Sequence, residues 1–108
     1  GLLALCLAVT PAIAQDDDDQ SFDDALKEFG YAGGAAWQCA EDEDKGEIVE
    51  SAMTVYNRVA QLFGTDRAFF FSAAFGAGTV DEIEAGECAR YTADFSEGLK
   101  QGQSEGAQ

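Results

Sequence analysis

The chain has 108 residues, no histidine and a formal charge of −15 at neutral pH. The missing histidine removes the usual general base and the commonest metal ligand. The charge argues against nucleic acid or an anionic membrane as partner, since both select basic surfaces. Carboxylate-pair chemistry stays open, but Asp and Glu fall in runs, as solvated charge does. The chain therefore reads as a non-enzyme with no cofactor and no metal motif.

The first residues, "GLLALCLAVTPAIAQ", combine an apolar stretch with an A-x-A signature at Ala12-Ile13-Ala14. Residues 1–14 read as a secretory signal peptide, cut short at its start because no Met or basic segment precedes it. The apolar run falls short of the ~20 residues of a spanning helix. The expected location is periplasmic or secreted, with no membrane span after signal removal.

Residues 15–20, with "DDDD" at 16–19, are expected to form a disordered acidic leader. Ser21 reads as an N-cap, and Phe22, Ala25, Leu26 and Phe29 follow at helical spacing, with Gly30 as the stop. "YAGGAAWQCA" reads as a second short helix or a turn. Trp37, next but one to Cys39, reads as core packed near a disulfide rather than as a stacking platform.

"EDEDKG", residues 41–46, reads as a loop. Aligning Gly46 with the calcium-loop glycine puts Lys45 among the ligands and Ala52 where a bidentate Glu belongs, which defeats that motif. The spacing then predicts a helix over 47–63 with two apolar lanes. Ile48, Ala52, Val55, Val59 and Leu62 form one; Val49, Met53, Tyr56, Ala60 and Phe63 form the other. Gly64 ends it and Thr65 caps the next helix.

That next helix, about 66–75, carries "RAFFFSAAF" and is expected to stop at Gly76 and Gly78. Successive residues turn by 100°, so Phe69, Phe70 and Phe71 cannot share a face. Either the helix is central to a four-helix core, the favoured reading, or Phe69, Phe70, Phe71 and Phe75 form an apolar interaction surface. "GAGT" at 76–79 lacks the lysine and preceding strand of a phosphate loop and reads as a turn plus cap. Thr79 and Glu82 form a capping box for a last helix, whose inner stripe is Ile83, Cys88, Tyr91, Phe95 and Leu99. A polar flexible tail, 101–108, follows. The expected architecture is all-α: one domain, 21–100, of about four helices.

Loss of the signal removes Cys6 and leaves Cys39 and Cys88, 49 positions apart. An even count in an oxidising compartment reads as a disulfide. Closing a loop of that length contributes roughly 4 kcal/mol in the chain-entropy account.

"AWQC" at 36–39 and "ECARYTADF" at 87–95 resemble the W-x-C segment and the second cysteine with its aromatic helix in periplasmic acid-stress chaperones of the HdeA type. The resemblance covers those two segments and the helical layout. The phenylalanine run and the acidic leader depart from it. It implies a small exported helical protein, stapled by one disulfide, that binds other proteins. With no histidine, an acid response rests on carboxylates and acts below about pH 5. Relief of repulsion in the acidic runs and loss of charge at helix starts oppose each other, so its direction stays open. Two other readings remain. One is a rigid inhibitor or immunity-type protein for a single partner; the other is weak divalent-cation binding by the acidic runs.

Overall fold

The computed structural model describes the backbone of residues 2–106 and the side chains of residues 20–102. The expected signal peptide, the acidic run at 16–19 and the end of the tail lie outside the residues whose side chains are described. Four α-helices follow in order: α1 (Leu2–Cys39), α2 (Asp42–Phe63), α3 (Thr65–Val80) and α4 (Cys88–Gly106). A short 3-10 turn, Ala85–Glu87, precedes α4. Among the described residues there is no strand, and the expected all-α architecture holds.

Small residues set the arrangement. Along α1, Gly30 and Gly34 stand one turn apart and meet α3 directly. A Cβ on Gly30 would run into the carbonyl oxygen of Phe71 and approach Cβ of Ala74 at 3.2 Å. A Cβ on Gly34 would strike the carbonyl oxygen of Phe75 and lie 2.8 Å from Gly78 Cα. Gly78 is constrained in return by Tyr31 and Ala35 of α1. Only a hydrogen fits at these points, so the two backbones touch. The pairing is parallel: Asp23 meets Arg67, 44 positions on, and Gly34 meets Gly78 at the same offset.

α1 and α3 are therefore the central pair, and α2 and α4 flank them. Leu26, Val59 and Ala68 form one buried cluster across α1, α2 and α3, with Phe22, Val55 and Ala60 packed against it. Ala32, Ala36 and Phe95 form a second across α1 and α4, joined by Phe29, Ile48, Tyr91 and Leu99. Phe29 links the two sides, its ring 5.3 Å from Phe95 and 5.4 Å from Phe71.

Several local expectations are corrected. Ser21 lies within α1, not at its start, and Gly30 does not stop it; helix runs through the glycines to Cys39. Their cost in helix propensity, about 1 kcal/mol each, is offset by packing that larger residues would block. "EDEDKG" is largely helical, since α2 begins at Asp42. Asp42, Glu43 and Asp44 fill its first turn, where acidic charge suits the exposed N–H groups. Gly76 and Gly78 do not end α3, which continues to Val80. The Thr79 capping box does not form: the Thr79 hydroxyl donates to the Gly76 carbonyl (2.6 Å) inside α3, and Glu82 lies in the extended connection. Gly64 does end α2, with φ of 104°, and it also stands at the N-cap of α3, so Thr65 is the first helical residue rather than the cap.

Helix ends are closed by neighbours. Lys45 Nζ donates to the Trp37 carbonyl (2.6 Å) at the end of α1 and sits 4.2 Å from the Trp37 ring centroid. Gln38 Nε2 donates to the carbonyls of Gly78 and Asp81, both at 2.6 Å, at the end of α3. The Cys39–Cys88 disulfide, Cα to Cα 5.7 Å, joins the end of α1 to the start of α4. Trp37 is half-buried under Lys45 rather than enclosed in the core.

The glycine contact predicts a contrast. Gly34→Ala should destabilise by about 2 kcal/mol, because backbone atoms cannot yield to the new methyl. Gly76→Ala, in α3 with nothing within 4 Å of its Cβ, should be neutral or up to about 1 kcal/mol stabilising. Urea melts of the two oxidised variants test this; equal effects would contradict it.

Candidate interaction surface

The phenylalanine run divides between core and surface. Phe71 is 1% exposed. Phe70 and Phe75 are half-buried, Phe70 beneath the Lys27 ammonium (5.1 Å to the centroid). Phe69 is 64% exposed. The four do not form one surface, because a helix turned into α1 by Gly78 points Phe71 inward and Phe69 outward.

Among the described residues, exposed apolar side chains are concentrated instead on α2. Its first lane packs inward: Ala52 and Val59 are buried, Ile48 and Val55 half-buried, and only Leu62, at the end, is open. The second lane stays largely in solvent. Val49, Met53, Tyr56 and Phe63 are all exposed, Met53 to 61%. Because α3 is drawn against α1, α2 has only one side to bury, and a helix apolar over two lanes is left with one uncovered. Phe69 and Val80 of α3 are exposed as well. Scattered single exposures are ordinary; a lane repeating over four turns is not.

Two grooves flank α4, which rests mainly on α1. The groove facing α3, about 700 Å3, has an alanine wall at Ala73, Ala74 and Ala77, with Tyr31 and Tyr91 opposite and Lys27 and Arg90 at its edges. Arg90 is engaged by Glu87, Nε to Oε2 2.7 Å, and that bond raises its pKa further above its already high ordinary value. The groove facing α2, about 570 Å3, has Leu26, Phe29, Val59 and Leu62 among its lining. Among the described residues no group of three or more His, Cys, Asp or Glu is gathered for a metal ion, and no helix is long and apolar enough to cross a membrane.

The Tyr31 hydroxyl donates to Asp81 Oδ2 (3.0 Å), tying α1 to the segment after α3. That bond, then partial desolvation and the Asp81 and Tyr91 charges, raise the phenol above its ordinary value. Sequence reading missed this link because Tyr31 and Asp81 lie 50 positions apart. It also missed both grooves, which depend on which helices touch. The exposed α2 lane was visible as a lane, but nothing in its spacing said which lane would be covered.

No protein-family model, no curated protein and no solved structure matches the chain.

A raised phenol means the protonated form is favoured in the fold. Its contribution is full below about pH 10, the ordinary tyrosine value, and is lost as pH rises through the raised folded value. Wild type should melt above Tyr31→Phe at pH 8, with the gap closing at strongly alkaline pH; a gap that widens there would contradict the assignment.

Proposed function

We propose that the protein is an exported, non-enzymatic helical protein that binds other proteins through apolar surface, in the manner of acid-stress chaperones. The observation that carries this reading is the exposed lane of α2, Val49, Met53, Tyr56 and Phe63. An apolar lane on a well-packed scaffold is surface available for contact. The Cys39–Cys88 staple is compatible with an oxidising compartment, where disulfides persist.

The exposed lane is present in the folded state, so contact with a client needs no unfolding of the bundle. Acid acts differently in this reading. The charge of −15 repels acidic clients at neutral pH, and protonation of carboxylates around about pH 4 removes that repulsion. The apolar lane then meets unfolding chains without an electrostatic barrier.

Suppression of client aggregation is the test. Oxidised protein should suppress aggregation of an acid-unfolded client increasingly as pH falls through the carboxylate range. Met53→Glu with Phe69→Glu should abolish most of that suppression and of hydrophobic-dye binding. Both sites are more than half exposed, so stability should change by no more than about 0.5 kcal/mol per site. Undiminished suppression by the double variant, or none by wild type at any pH, would overturn the reading.

A further inference from the structure

We propose that the groove between α2 and α4 is a docking site for an apolar segment flanked by lysine or arginine, supplied by another protein. This rests on the protein-binding reading above and adds a defined site and a partner chemistry. Leu26 and Phe29 of α1 form the floor, Val55, Val59 and Leu62 of α2 one wall, and Leu99 of α4 part of the other. Leu62 is 64% exposed, so apolar surface continues from the groove onto its lip.

The α4 wall is cut back by two glycines. A Cβ on Gly98 would press on the Phe29 ring, 2.5 Å from Cε1. A Cβ on Gly102 would meet nothing within 4 Å. Among the described residues, Gly102 therefore leaves its side of the groove open, and an incoming apolar side chain has room beside it.

Charge selects the occupant. Glu28, Asp94 and Glu97 line this groove, against one cation, Arg58. Arg58 donates from Nη1 to the Gly102 carbonyl at 3.1 Å and keeps its charge, so these four side chains leave the groove negative. Asp94 has Arg90 only at 3.9 Å. An apolar segment with acidic flanks would meet three carboxylates and the net charge of the chain. One with basic flanks would be steered in by both. Apolar pocket for affinity and acidic rim for selection together define an apolar, basic-flanked ligand.

The probe is a labelled synthetic amphipathic helix of leucine and lysine, titrated with the oxidised full chain by fluorescence anisotropy, with a leucine–glutamate counterpart. Gly102→Leu fills that open side and replaces a helical glycine by a better helix former, so the melt should hold. The lysine peptide should bind and weaken as salt rises. Gly102→Leu should weaken it at least about tenfold, equivalent to about 1.4 kcal/mol, and Met53→Glu on the outer lane should not. Should Gly102→Leu not fold, Glu28→Gln with Glu97→Gln carries the test, with several-fold weaker binding and a shallower salt dependence expected.

Equal binding of the glutamate peptide, or wild-type affinity in the groove variants, would overturn the proposal. If Met53→Glu alone abolishes binding, the groove is wrong and the outer-lane reading stands. If the lysine peptide docks in the groove while client aggregation is never suppressed, the groove stands and the chaperone-like reading falls.

Discussion

The backbone contact between α1 and α3 is the constraint from which the rest follows. Gly30, Gly34 and Gly78 leave no side chain between the two helices, so each carbonyl lies where the other helix would have put a Cβ. In an up-down-up-down bundle the first and third helices usually face each other across a core of side chains. Here that distance has collapsed. α2 and α4 are displaced to the flanks, each with less of its circumference covered, and α4 is left between two grooves. The exposed lane of α2 is the direct consequence: among the described residues only Phe63 of that lane meets a ring of another helix, Phe22 of α1.

This explains which parts of the fold were legible in the sequence. The α2 lanes were, because a wide apolar side at helical spacing survives any arrangement of neighbours. Gly64 was, because a positive φ closing a helix is a local requirement. The disulfide was, from the pairing expected of Cys39 and Cys88. Gly30, Gly78 and the Thr79 capping box were misread for one shared reason. Local rules treat glycine as a stop and threonine before an acid as a start, and neither rule sees a partner helix. Gly30 and Gly78 are helical because α1 and α3 touch there. Thr79 is helical because α3 must continue to carry Gly78.

The candidate surface was less legible than the fold. The phenylalanine run drew attention by composition, yet it is Phe71 that holds the centre and Phe69 that faces solvent. Lys45 looked like a misplaced calcium ligand and instead closes the end of α1 while covering Trp37. The grooves depend on helix placement over 40 or more positions of sequence, as the Gln38–Gly78 and Arg58–Gly102 bonds show. No periodicity within one element encodes that.

Native-state hydrogen exchange on the oxidised protein tests the central claim most directly. If the α1–α3 contact is the most stable part of the molecule, amides of residues 30–36 and 71–78 should exchange slowest, through global unfolding alone. Amides in the exposed half of α2, around residues 53–63, should open locally and exchange faster. Fast exchange at 30–36, equal to that of α2, would mean that the glycine contact does not hold the bundle together.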